Sequence, residues 1–283
     1  MAKKISLINM KGGVGKSTLA VNLAWQFAGT ARWNKKVLVV DLDPQFNASQ
    51  YLLGVNRYEA IVQKNLPTIS DVFEQLAVSP TGKRPPPLDP KSVIQNVVHY
   101  NDGSRIDLIP SRLELAYSLR NPAGKEQLLQ TLIAKLESLY DLVIFDCSPT
   151  ESLLTTAAYL ASDYILVPVK PEYLCSIGLP LLVRSLEEFQ DHPAYGAHKI
   201  ELAGVVFNAT SNYAPEEMKA KKSVKSEAAK RGWYVFTKEV NYSRSYPKGA
   251  REGRPIFSTT YSRTRSSARM RDFAEELAKR VGL

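Results

Sequence analysis

The stretch that decides the fold is Lys4-Ile5-Ser6-Leu7-Ile8-Asn9, then Met10, then Lys11-Gly12-Gly13-Val14-Gly15-Lys16-Ser17-Thr18. An apolar strand runs straight into a glycine-rich turn, and a helix with apolar spacing follows from Ser17 to about Ala28. Glycines let the backbone turn so that successive N–H groups face one anion. The helix that follows adds its own free N–H groups and positive dipole end. Strand, turn and helix in this order make a phosphate-binding loop. In such a loop Gly12, Gly13, Val14 and Gly15 line the cradle, Lys16 reaches the β and γ phosphates and the Ser17 hydroxyl ligates Mg²⁺. Thr18 adds a hydroxyl one step into the helix. The usual G-x-x-x-x-G-K-[ST] spacing fails at its first glycine, where Met10 stands, and a second lysine, Lys11, opens the loop instead.

Outward from this loop, apolar runs alternate with helix-length segments. Val37-Leu38-Val39-Val40-Asp41 and Leu142-Val143-Ile144-Phe145-Asp146 are continuous apolar runs ending in a carboxylate, the pattern of strands buried on both faces. Ile106–Ile109, Tyr164–Val169 and Leu202–Phe207 read as further strands. Helices are expected over Lys125–Leu139, Ile177–Phe189 and Met218–Lys230. Such alternation predicts an α/β fold, a mostly parallel sheet with helices on both faces. Ser79-Pro80-Thr81-Gly82-Lys83-Arg84-Pro85-Pro86-Pro87 excludes helix and central strand. It reads as a surface excursion near 79–90 within one domain spanning 1–283, because strands flank it on both sides.

The 283 residues are 44% hydrophobic and 23% charged, which excludes disordered, collagenous and coiled-coil classes. No apolar run approaches the roughly 18 residues of a spanning helix, and two cysteines cannot build a disulfide framework. A cytoplasmic protein is expected. The net charge of +9 is unevenly placed: residues 219–271 hold 15 basic and 3 acidic side chains, against 22 and 25 in the remainder. A basic excess so confined points to a polyanion, nucleic acid before membrane. Without a base-reading motif, DNA contact would be sequence-independent and salt-sensitive.

The lysine-bearing loop K-G-G-x-G-K-[ST] resembles the deviant Walker A motif of the ParA/MinD family of P-loop ATPases. The resemblance extends through Asp41-Leu42-Asp43-Pro44-Gln45, similar to the family's D-x-D-P-Q, and through the Walker B-like strand ending Asp146-Cys147-Ser148-Pro149. It continues through Val167-Pro168-Val169-Lys170-Pro171-Glu172-Tyr173 with Gly178-Leu179 and is nearest to the ParA/Soj-type partition ATPases. One departure is Phe46, where D-x-D-P-Q is usually followed by glycine.

The resemblance implies an ATPase using ATP and Mg²⁺. Lys16 and Asp43 would serve catalysis, Asp43 by orienting the attacking water, with Lys11 reaching the phosphates held by the other subunit of a homodimer. Asp41 and Asp146 would join Ser17 around the metal. Pro171, Glu172 and Asn208 would border the adenine, although Asn208 reads equally as a turn residue after a strand. Arg244, Arg269 and Arg271 would bind DNA nonspecifically, and a ParB-like or other adaptor would stimulate hydrolysis on a nucleoid-associated protein. Two other readings stay open on the same fold. One is a MinD-like membrane-associated regulator, for which Met270–Val281 supplies the stripe Phe273, Leu277 and Val281. The other is a metabolic or metal-transfer enzyme, although Cys147 and Cys175 read better as structural thiols than as cluster ligands.

Overall fold

A computed structural model describes residues 1–75, 87–120, 122, 124–172, 175–195, 197–211, 215–259 and 264–283. The proline-rich excursion thus lies outside the described residues up to 86, as do Tyr173, Tyr261, Arg263 and the side chain of Cys175. In chain order the elements are β1 (Lys3–Leu7), α1 (Lys16–Ala28), β2 (Lys36–Leu42), α2 (Asn47–Leu53), α3 (Val55–Gln63), α4 (Ile69–Phe73), β3 (Gln95–His99), β4 (Arg105–Ile109) and α5 (Leu115–Ser118). There follow α6 (Leu128–Leu136), β5 (Leu142–Cys147), α7 (Leu153–Ala161), β6 (Tyr164–Val169), α8 (Cys175–Asp191), β7 (Glu201–Thr210), α9 (Pro215–Lys230), β8 (Val240–Asn241), α10 (Ser245–Glu252) and α11 (Thr264–Val281).

The continuous apolar runs form the middle of one eight-stranded sheet, ordered β3-β4-β2-β5-β1-β6-β7-β8. Every pairing is parallel except that of the edge strand β3 with β4. All six residues of β5 are buried, as expected where helices cover both faces. One apolar cluster joins a sheet face to α4, α6, α7, α8 and α9, and the other joins the opposite face to α1, α2, α3 and α11. Phe273, Leu277 and Val281 belong to the second cluster, so the apolar stripe of the last helix is spent on the core. No helix among the described residues is long and apolar enough to cross a membrane.

The expected elements stand with shifted ends. The helix expected over Lys125–Leu139 is α6 followed by a tighter 3₁₀ turn at Glu137–Leu139. Among the described residues, the basic region divides between the two faces of the sheet. Ala220 and Val224 of α9 pack on one face of the sheet, whereas α11 packs on the other. Both α10 and α11 pack against the short turn Ile256–Ser258.

Candidate active site

The carboxyl ends of β1, β2 and β5 lie side by side, the place where open parallel sheets hold ligands. The register sets Leu7 and Asp41 each opposite Asp146. Beyond β1 the chain turns through Gly13 (φ 74°) and Gly15 (φ 83°) into α1. At Gly15 the left-handed backbone and the approach of Asn208 coincide, since a Cβ there would come within 2.5 Å of Asn208 Nδ2. Only glycine suits that position.

A cleft of about 600 Å³ opens over the loop and is lined by Gly12, Gly13, Gly15, Lys16, Ser17, Thr18 and Asp43, with Gln45, Tyr51 and Ala250 on its other walls. Lys16 is only 6% exposed, and its Nζ donates to the Asn9 carbonyl at 3.0 Å and to the Lys11 carbonyl at 3.4 Å. Burial lowers its pKa, while Asp146 and Asp43 oppose that shift. A cation folded onto two neutral carbonyls in a loop of converging N–H groups is suited to an incoming polyphosphate.

The fit to a metal rests on Asp146. It is fully buried, and neither carboxylate oxygen has a well-formed hydrogen bond among the described residues. Burial and the neighbouring Asp41 carboxylate raise its pKa well above the usual range, with Ser17 and Lys16 opposing. A buried carboxylate left in this state is costly, and a divalent cation offsets that cost. Ser17 opens onto the same cleft. The residues present therefore fit Mg²⁺.

Asp41, expected around the metal, also has both carboxylate oxygens engaged by protein groups. Its Oδ2 accepts from the Ser49 N–H (2.8 Å) and hydroxyl (2.7 Å), and its Oδ1 from the Asp43 N–H (3.1 Å). Its pKa is pushed up to about 7 by burial. Both oxygens thus anchor protein groups, and the register sets Asp41 beside Asp146 on the neighbouring strand. Asp43 lines the cleft itself, with its Oδ1 accepting from the Gln45 N–H at 2.9 Å.

Lys11 forms an ion pair with Glu172 (3.0 Å), which also pairs with Lys170. These lysines hold the Glu172 carboxyl below its usual pKa. Asn208 donates from Nδ2 to the Val14 carbonyl at 2.7 Å and to that of Gly15 at 3.4 Å, so its amide clamps the loop. It also lines an apolar cavity of about 210 Å³ with Tyr246 and Pro247, whereas Pro171 and Glu172 line a separate cleft with Ser211 and Tyr242. The three expected base-side residues are therefore divided between two neighbouring hollows, with Ala209 and Tyr242 bordering both.

Arg244 is exposed at the start of α10, Arg271 is exposed on α11 beside Asp272 (3.8 Å), and Arg269 is half-buried. Ala250 of α10 walls the phosphate cleft. Cys147 is buried, with burial pushing its thiol pKa up.

Sequence reasoning missed Asn9 and Asn22. Asn9 accepts the Lys11 N–H at its Oδ1 and donates to the Pro168 carbonyl at 2.8 Å, tying the loop to β6. Asn22, fully buried, donates to the Thr18 carbonyl and the Tyr51 hydroxyl and accepts the Ile256 N–H. The available signal was an amide on the otherwise apolar face of a helix.

The sequence profile of an AAA domain matches residues 2–200. An uncharacterized protein of Methanocaldococcus jannaschii is 30% identical over 89% of this chain and 90% of its own length. The sporulation initiation inhibitor protein Soj of Bacillus subtilis is 32% identical over 68% of each chain. Among solved structures, apo McdA of Cyanothece superposes with a TM-score of 0.76 at 20% identity, covering 98% of this chain and 99% of that one. A cobyrinic acid a,c-diamide synthase of Mycobacterium smegmatis with bound ATP analogue and magnesium gives 0.69 at 21% identity, covering 97% and 93%.

Proposed function

The chain belongs to the AAA-domain family of P-loop ATPases of the ParA/MinD type, and we propose that it is a DNA-partitioning or cargo-positioning ATPase. In this reading residues 1–283 act as one ATPase domain in the cytoplasm, on nucleoid DNA. Its ATP-bound homodimer holds DNA without regard to sequence and releases it when a ParB-like or other adaptor stimulates hydrolysis. The observation that carries this is the shared wall between the two activities. The phosphate cleft is closed on one side by Ala250 of α10, the helix that begins at the exposed Arg244.

ATP would enter with its phosphates on the N–H groups of residues 12–18. Lys16 would exchange the Asn9 and Lys11 carbonyls for phosphate oxygens, trading neutral acceptors for charged ones. The Ser17 hydroxyl and Asp146 would hold Mg²⁺, with Asp41 beside Asp146 helping to hold its hydration shell; when bound, the ion would supply charge compensation to the phosphates. Asp43, at the cleft wall, would orient the attacking water. Lys11 would leave Glu172 for the phosphates of the partner subunit, making turnover depend on dimerisation. Asn208, Pro171 and Glu172 would flank the base. The burial of Phe273, Leu277 and Val281 argues against the membrane reading, because it removes the face that such a helix would insert.

The test is DNA affinity across a salt series, with and without Mg²⁺·ATP, for wild type, Arg244→Ala and Arg271→Ala. ATP should be required, and random sequences should bind equally. Each arginine lost from both subunits should flatten the slope of log K against log salt by roughly two units, at about 0.9 per phosphate contact. Equal binding by the ATP-free chain, or retention on anionic vesicles in place of DNA, overturns the proposal.

A further inference from the structure

Phe46 takes φ 47° and ψ 32°, a left-handed conformation unfavourable for a residue carrying a Cβ. It does so three residues beyond Asp43, at the position where the D-x-D-P-Q motif is usually followed by glycine. Left-handed non-glycine residues persist only where their surroundings hold them. Here the Phe46 ring stacks on Tyr58 with centroids 4.9 Å apart and planes 15° apart. Tyr58 is 5% exposed, and its hydroxyl donates to the Ser111 carbonyl at 3.1 Å.

These contacts close a circuit. The Ser111 N–H donates to Ser49 Oγ (2.9 Å), and the Ser49 hydroxyl donates to Asp41 Oδ2. Asp41 Oδ1 accepts from the Asp43 N–H, and the Asp43 carbonyl accepts from the Phe46 N–H at 2.8 Å. From Phe46 the Tyr58 ring leads back to Ser111. Asp43 is therefore fixed from both sides, by Asp41 through its own N–H and by the 43–46 turn through its carbonyl. Neither aromatic ring lines the phosphate cleft.

We propose that the Phe46–Tyr58 stack is a brace that sets the position of Asp43, making Phe46 a positioning residue for hydrolysis and not for nucleotide binding. The inference rests on the reading of Asp43 as the residue that orients the attacking water. A glycine at 46 permits the left-handed turn but does not enforce it, since its backbone samples many alternatives. An alanine keeps the penalty of the left-handed conformation and loses the ring that offsets it.

The experiment measures steady-state hydrolysis of Mg²⁺·ATP by the full chain, together with equilibrium binding of a fluorescent ATP analogue. The variants are Phe46→Gly, Phe46→Ala and Phe46→Tyr. Loss of an aromatic contact of this kind predicts a fall in kcat of about three- to tenfold for Phe46→Gly, or about 0.7–1.4 kcal/mol at 1.36 kcal/mol per tenfold. A larger fall is expected for Phe46→Ala, and recovery of at least half the wild-type kcat for Phe46→Tyr. KM and analogue affinity should stay within about twofold throughout, a split that general loosening of the fold would not produce. If wild type hydrolyses ATP and Phe46→Gly and Phe46→Ala match it, or if KM rises as kcat falls, the brace is overturned alone. A wild-type chain that binds ATP without hydrolysing it overturns the functional reading and the brace with it.

Discussion

Asp146→Asn should make the nucleotide-free, magnesium-free protein more stable while removing its response to Mg²⁺. In the wild type both oxygens of a fully buried carboxylate lack well-formed hydrogen bonds among the described residues, and Asp41 lies opposite in register. Leaving a buried polar group unsatisfied costs about 1–3 kcal/mol, and more when it is charged. The amide keeps the shape and is still an unsatisfied polar group, but it discards the charge and the repulsion with Asp41; with a charged group costing about twice a neutral one, a gain of about 1–3 kcal/mol is expected. At about 2–4 °C per kcal/mol for chains of comparable size, the melting temperature should rise by roughly 3–10 °C in a chelator. Saturating Mg²⁺·ATP should reverse the ranking. A ligand at 100 times its Kd adds about 2.7 kcal/mol to wild type, and the variant should forfeit the magnesium-dependent share. Differential scanning fluorimetry in EDTA, in ATP with EDTA, and in Mg²⁺·ATP separates these contributions. A chelated variant that melts below wild type refutes the argument from burial. A variant stabilised by Mg²⁺·ATP as strongly as wild type refutes the placement of the metal.

Two further outcomes follow from neighbouring groups. Asn208→Ala removes the clamp on the Val14 and Gly15 carbonyls; ATP affinity should fall about five- to thirtyfold at about 1–2 kcal/mol for buried hydrogen bonds, measured by calorimetry, and unchanged affinity counts against the clamp. Asp41, pushed up to about 7 from an unfolded value near 4, contributes stability that is complete below about pH 4 and lost as pH rises through 7. Chelated protein should therefore lose melting temperature between about pH 4 and 7, and Asp41→Asn should flatten that decline; an equal slope in the variant counts against it.

Much of the fold was legible because its central strands are continuous apolar runs and its loop carries Lys-Ser after glycines. Those signals are local. The edge strand Gln95–His99 was not read, because its residues are polar or half-exposed and show neither a buried run nor clean alternation. The helix α10 was hidden by Pro247 and Gly249, which disfavour a helix in isolation. At the site, the phosphate loop, Asp43 and Asp146 came from ordered motifs. The partners of Lys11 and Asn208 did not, since Glu172 and Val14 reach them through folding of distant segments, and Ser49 meets Asp41 only across the turn between β2 and α2. Asn22 accepting the Ile256 N–H across 234 positions is a further case. Phe46 was noticed as a departure from a motif, but its left-handed turn and its stack on Tyr58 exist only in three dimensions.

Glu172 also bears on the energetics of the proposed Lys11 switch. One carboxylate serves two lysines, so departure of Lys11 leaves it still paired with Lys170. No charge is stranded by the exchange, and an exposed pair of this kind is worth only about 0–1 kcal/mol. The lysine held in reserve can therefore be withdrawn at almost no thermodynamic penalty. Ionic strength then acts as a dial on the resting position of Lys11, loosening it before any second subunit arrives. In the proposed mechanism the timing of the switch would be left to the encounter between subunits, not to the breaking of a strong bond within one.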